Sequence, residues 1–114
     1  MNLIFKIVGA EEWRLAQAAG VFEGAAIDRA DGYIHFSAAL QAAGTAAKWF
    51  AGRRDLVLAA VDADALGAAL RWEPSRGGAL FPHLYGPLPL SAVRWARALP
   101  LDADGRHIFG NFDV

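Results

Sequence analysis

Two stretches of this sequence gather residue types able to do chemistry. The first is Asp31-Gly32-Tyr33-Ile34-His35-Phe36-Ser37. On an extended chain, residues two apart point the same way, so Tyr33, His35 and Ser37 share one face. Ser37 precedes an alanine-rich helical run, and as its cap it stands where free N–H groups and the helix dipole draw anions. An imidazole beside a hydroxyl there suits a ribose hydroxyl or a phosphate. The plain structural alternative is a buried histidine bonded to backbone, next to an ordinary serine cap.

The second stretch is Phe81-Pro82-His83-Leu84-Tyr85-Gly86. The rings of Phe81 and Tyr85 suit a planar base or nicotinamide, with His83 reaching a polar edge; the same residues also suit the closing of a small core. Glu73, after Trp72, is the best single carboxylate candidate, and it equally fits a solvated strand end. Arg53-Arg54 and the pair Arg94 and Arg97 offer phosphate contacts or plain surface. His35, His83 and His107 lack the HxH or HxxxH spacing of a metal centre, so no metal is expected. Ser37 with His35 lacks a GxSxG elbow and an obvious orienting aspartate, which disfavours a hydrolase. The chain has no cysteine, so disulfides, thiolate nucleophiles and cysteine-based metal sites are excluded.

The elements that must position these residues follow from patterning. Leu3 to Val8 is β-branched and aromatic and ends at Gly9, as a strand buried on both faces does. Residues 11–19 read as a short, partly buried helix with acidic residues in its first turn and Gly20 as its stop. Residues 21–32 have no clean period and read as an ordered loop, followed by a short strand over Tyr33 to Phe36. A second helix is predicted over residues 38–51, capped by Ser37, with Leu40, Ala43, Ala47 and Phe50 as its apolar stripe. Asp55 to Val61 is the clearest strand, and Asp62 caps a single turn after it. Leu70 to Glu73 alternates like an edge strand that Pro74 ends. Residues 80–89 are too proline-rich for a central strand and too aromatic for a solvated loop, so they are expected to cross a core or line a cleft. Residues 91–99 read as a strand, and the tail is apolar at Ile108, Phe109 and Phe112. Short strands with two main helices and no regular βαβ alternation predict an α+β fold with a mixed or antiparallel sheet.

At 114 residues the chain is expected to form one domain, residues 1–114. Eleven basic residues face twelve acidic ones, which gives no support to gripping a long nucleic acid. No apolar run approaches the roughly 20 residues of a membrane span, and the first residues lack a signal-peptide pattern, so a cytoplasmic protein is expected. A monomer or weak homodimer is expected.

Taken in order, Ile4-Phe5-Lys6-Ile7, Gly32-Tyr33-Ile34-His35-Phe36-Ser37, Leu56-Val57-Leu58, Arg71-Trp72-Glu73 and Phe81-Pro82-His83-Leu84-Tyr85-Gly86-Pro87-Leu88-Pro89 resemble the Domain of Unknown Function 952 family of small bacterial proteins. The last string is the most specific. That family has no established activity, but it looks related to the ADP-ribosyltransferase-like fold, which includes the NAD-consuming RNA 2′-phosphotransferases. The resemblance implies two small sheets in a split arrangement with NAD between them. It puts Lys6 at the first motif position and His35 at the second, with Glu73 and His83 both candidates for the third. Lys6 departs from the histidine common at the first position, since it can donate a hydrogen bond but cannot accept one. The resemblance therefore implies an NAD- or nucleotide-utilising transferase with NAD as substrate. His35, Glu73 and His83 would be its catalytic candidates, and Lys6, Ser37, Phe81 and Tyr85 its ligand contacts. The alternatives are a non-catalytic module binding a nucleotide or phospho-metabolite, and a protein-interaction domain.

Overall fold

The structure is a computed structural model, and it describes residues 2–110; Phe112 lies outside them. The first strand, β1 (Leu3–Gly9), pairs antiparallel with β4 (Leu56–Asp62), whose other edge carries β8 (Val93–Ala98). A second three-stranded sheet runs in the order β3 (Ile34–His35), β6 (Leu80–Leu84), β5 (Leu70–Pro74). A two-stranded ribbon pairs β2 (Val21–Phe22) with β7 (Leu88–Pro89). Every pairing is antiparallel, and the helices α1 (Ala10–Ala19), α2 (Ala26–Asp31) and α3 (Ala39–Trp49) complete an α+β fold. Among the described residues, no helix is long and apolar enough to cross a membrane.

Strand β1 is buried on both faces, as its composition requires. Ile4 and Val8 enter one core with Trp13, Phe22, Ile34 and Leu84. Phe5 and Ile7 enter the other with Ala46, Leu58 and Leu99. Period-two alternation puts Lys6 on the Ile4–Val8 face, so a lysine points where the first core would otherwise continue. Among the described residues one bridge joins the two larger sheets: Phe5 and Ser37 exchange backbone hydrogen bonds of 2.8 Å in both directions. This seam fixes β3 against the middle of β1.

Four expectations need correction. Residues 21–32 are not a loop: they hold β2 and α2, and α2 is too short to show a helical period. Ser37 is not the helix cap. Ala38 occupies that position, its N–H is accepted by Gln41 Oε1 at 2.9 Å, and Ser37 Oγ lies 2.8 Å from Thr45 Oγ1. The buried face of α3 is Ala42 and Ala46, whereas Leu40 is 101% exposed. Alanine fits either face of a helix, so the run of alanines hid which side packs.

The fourth correction concerns β6, which is the central strand of its sheet despite Pro82. Pro82 O accepts from Phe36 N at 3.0 Å. In an extended strand the N and O of one residue face the same side, so the donor that Pro82 lacks faces the end of β3, not β5. The ladder to β5 runs intact from Leu70–Leu84 to Pro74–Leu80, while β3 pairs over two residues only.

Candidate functional site

The two larger sheets and α3 enclose a cleft of about 820 Å³. Its wall includes Lys6, Asp28, Asp31, Tyr33, His35 and Ser37, with Phe81 and His83 from β6. Five of the seven residues singled out from the sequence therefore line one space. Glu73 and Tyr85 do not line it and reach it through His83.

Asp28 organises the inner end. It is 1% exposed and stands at the third position of α2, where its Oδ2 accepts from Ala25 N at 2.8 Å. Its Oδ1 accepts from His35 N at 3.1 Å and lies 2.6 Å from His35 Nδ1. Lys6 Nζ donates to Oδ1 at 3.0 Å and to His35 O at 2.9 Å, and lies 2.9 Å from Oδ2. Burial pushes the Asp28 carboxyl up, but the His35 hydrogen bond and the Lys6 ammonium outweigh it and hold the group far below the usual carboxylate range. Burial pulls the Lys6 ammonium below its ordinary value, against the opposing pull of Asp28. A charge buried this deeply is tolerable because its partner and further hydrogen bonds surround it.

His35 is held from both sides. Beyond the Asp28 contact, its Nε2 lies 2.9 Å from Asp31 Oδ2, one helical turn earlier in sequence. Both ring nitrogens are thus committed to carboxylates.

His83 is held differently. It is 3% exposed, and its Nδ1 lies 2.8 Å from Glu73 Oε1, which also accepts from Tyr85 Oη at 2.8 Å. The hydrogen bond with His83, then that from Tyr85, lowers the Glu73 carboxyl below its ordinary value, so it stays an acceptor. The Tyr85 phenol is raised chiefly by the same hydrogen bond and stays a donor. With Glu73 accepting at Nδ1, the proton of a neutral ring sits there and Nε2 keeps its lone pair. Among the described residues, His83 Nε2 has no hydrogen-bond partner.

Tyr33 ties the two histidines together. Its ring stacks on His83 at 4.2 Å between centroids and 30° between planes, and lies 4.7 Å from His35 and 5.2 Å from Tyr85. The register places His35 directly opposite His83 across β3 and β6, with ring centroids 5.5 Å apart.

The far end of the cleft has another character. Strand β1 leads there from Lys6 to Gly9, about 10 Å at the strand rise, and the wall becomes Glu12, Lys48, Trp49, Phe50 and Arg53. Arg53 lies over the Phe50 ring at 5.2 Å and Lys48 over Trp49 at 5.5 Å. Among the described residues, neither cation has a carboxylate within ion-pair distance. Of the other arginines considered, Arg94 pairs with Asp62 at 2.7 Å and Arg97 donates to Phe109 O at 2.8 Å, both away from the cleft. No group of three or more His, Cys, Asp or Glu stands where it could hold a metal ion, among the described residues.

Sequence reasoning missed Asp28 as the organiser and gave no role to Asp31, Lys48 or Trp49. Asp28 and Asp31 are three residues apart on α2 and so share a helical face, which would have grouped them had α2 been recognised.

Residues 7–96 match the family described as "Protein of unknown function (DUF952)". Among solved structures the chain is similar to protein CC0527 from Caulobacter crescentus. The crystal structure is 57% identical, with a TM-score of 0.91 and 95% of each chain covered. The solution NMR structure is 58% identical, with a TM-score of 0.84, covering 93% of this chain and 91% of that one. No curated protein matches. With the family match running from the first strand into the last, the chain belongs to the DUF952 family.

Proposed function

We propose that this protein is an NAD- or nucleotide-utilising transferase of the ADP-ribosyltransferase-like fold, with its ligand in the cleft between the two larger sheets. The observation that carries the reading is the polarity of that cleft. Its inner end offers ring faces on Tyr33, His35 and His83, and its outer end offers Arg53 and Lys48. A flat heteroaromatic ring joined to phosphate through a sugar matches both ends at once. The volume of about 820 Å³ falls within the usual range of small-molecule sites. Breaking a nicotinamide–ribose bond builds positive charge on the sugar. Asp28 and Asp31 line the inner end and Glu73 stands behind His83, against the Lys6 ammonium and the His35 ring, and this excess of carboxylates favours such charge.

A specific observation favours the second reading, a module that binds without turnover. His35 has both ring nitrogens on carboxylates, and Lys6 is spent on Asp28, so two residues of the expected motif hold one another. Thermal-shift titration with NAD and a nucleotide panel, on wild type and His35→Ala, tests ligand binding. A dose-dependent rise in Tm that the variant loses is the expected result. No rise with any nucleotide, from a folded sample, would overturn the nucleotide assignment and turn attention to protein partners.

A further inference from the structure

Resting on the nucleotide reading, we infer that the acceptor in the transfer is a neutral hydroxyl, and that His83 takes its proton. Of the two histidines, His35 has no nitrogen to spare, whereas His83, which lines the cleft and is 3% exposed, has an Nε2 without a partner among the described residues. Glu73 fixes the other nitrogen and stands ready to stabilise the imidazolium. Tyr85 orients Glu73 in turn. This is the arrangement a general base needs: a ring lining the cleft with one nitrogen unpartnered among the described residues, and a carboxylate behind the ring.

The charge around the base selects the acceptor. Asp31 reaches His35 at 2.9 Å, Asp28 at 2.6 Å, and the His35 ring lies 5.5 Å from His83. Glu73 adds a third carboxylate; facing the three are the Lys6 ammonium and the His35 ring, whose two nitrogens both meet carboxylates and so act as donors, which leaves carboxylates in excess. A phosphate acceptor would meet repulsion there and would bring no proton that needs a base. A hydroxyl brings a proton and no charge.

The hydroxyl oxygen donates a lone pair to the ribose C1′ while the C1′–N bond breaks. The bonding pair leaves with the nicotinamide nitrogen, which becomes neutral. The hydroxyl proton passes to His83 Nε2, and the positive charge once on the pyridinium ends on the imidazolium beside Glu73.

The test follows NAD with water alone, with methanol added, and with a short RNA bearing a terminal 2′-phosphate, after thermal shift has established NAD binding. Expected results are nicotinamide release, methyl ADP-ribose in the methanol arm and no transfer to the phosphate. His83→Ala is expected to lose about 100-fold or more in kcat while keeping its NAD-dependent Tm rise, and added imidazole is expected to restore part of the rate. Glu73→Gln, in a half-buried position, serves if His83→Ala does not fold. As a positioning residue, Glu73 should affect kcat more than KM and change the pH–rate profile. Wild-type turnover in His83→Ala, transfer to the phosphate, or NAD binding without release in any arm would overturn the inference while leaving the nucleotide site in place. Absence of any NAD-dependent Tm rise removes the nucleotide reading, and this inference with it.

Discussion

Asp28 is the residue on which the site's rigidity rests. Its two oxygens receive hydrogen bonds from the first strand, the start of α2 and the backbone and ring of His35. Removing its charge leaves Lys6 buried without a counter-ion, so Asp28→Asn is expected to destabilise the protein by about 3–5 kcal/mol, read by urea unfolding. The double variant Lys6→Met with Asp28→Asn should recover part of that loss, because no unpaired charge remains. The folded carboxyl titrates below its ordinary value of 3.8. A carboxyl lowered on folding stabilises fully above its unfolded pKa and progressively less as pH falls through the folded value. Stability should therefore decline on acidification below about pH 4, with a shallower decline in Asp28→Asn; equal acid slopes in the two proteins would contradict the pairing.

At the scale of elements, α3 separates what composition suggests from what packing selects. Leu40 is its largest aliphatic side chain and stands fully in solvent, while Ala42 and Ala46 face inward. Small residues there let the helix approach β1 closely enough for the Phe5–Ser37 bridge at its N-terminal end. Ala46→Leu is expected to cost about 1–3 kcal/mol through overpacking, whereas Leu40→Lys should stay within about 0.5 kcal/mol, both read from denaturant midpoints. The reverse ranking would mean that the helix is rotated. Strand β6 teaches the same lesson for proline: one missing donor is tolerated in a central strand when it faces the side where pairing already ends.

For the whole molecule, residues of both larger sheets wall the cleft, and the Phe5–Ser37 bridge joins those sheets. Its ends differ in charge because different elements supply them, α2 with β3 and β6 at one end and α3 with its following turn at the other. Charge-assisted hydrogen bonds to phosphate contribute about 1.5–3 kcal/mol each, so Arg53→Ala should weaken NAD binding by roughly tenfold or more while leaving nicotinamide binding unchanged. Calorimetry at low and high salt checks this, and the difference should narrow as salt screens the exposed cation. An equal loss for both ligands would point to a general disturbance of the cleft.

Local chemistry sufficed for much of this. Continuous apolar, β-branched runs marked β1 and β4, Asp62 announced its cap on the following turn, and alternation at residues 93–98 marked β8. Residue type nominated His35, His83, Glu73, Ser37, Phe81 and Tyr85, and the family resemblance added Lys6. Only the tertiary structure decided what these groups do to one another. Lys6 meets Asp28 across 22 residues and His35 O across 29, and the opposition of His35 to His83 depends on a strand register. Such long-range contacts leave no periodic trace, because their energy is gained only once the intervening chain has folded. The sequence therefore supplied the chemical groups, and the fold determined that His35 is sequestered between two carboxylates while His83 keeps one nitrogen unpartnered among the described residues.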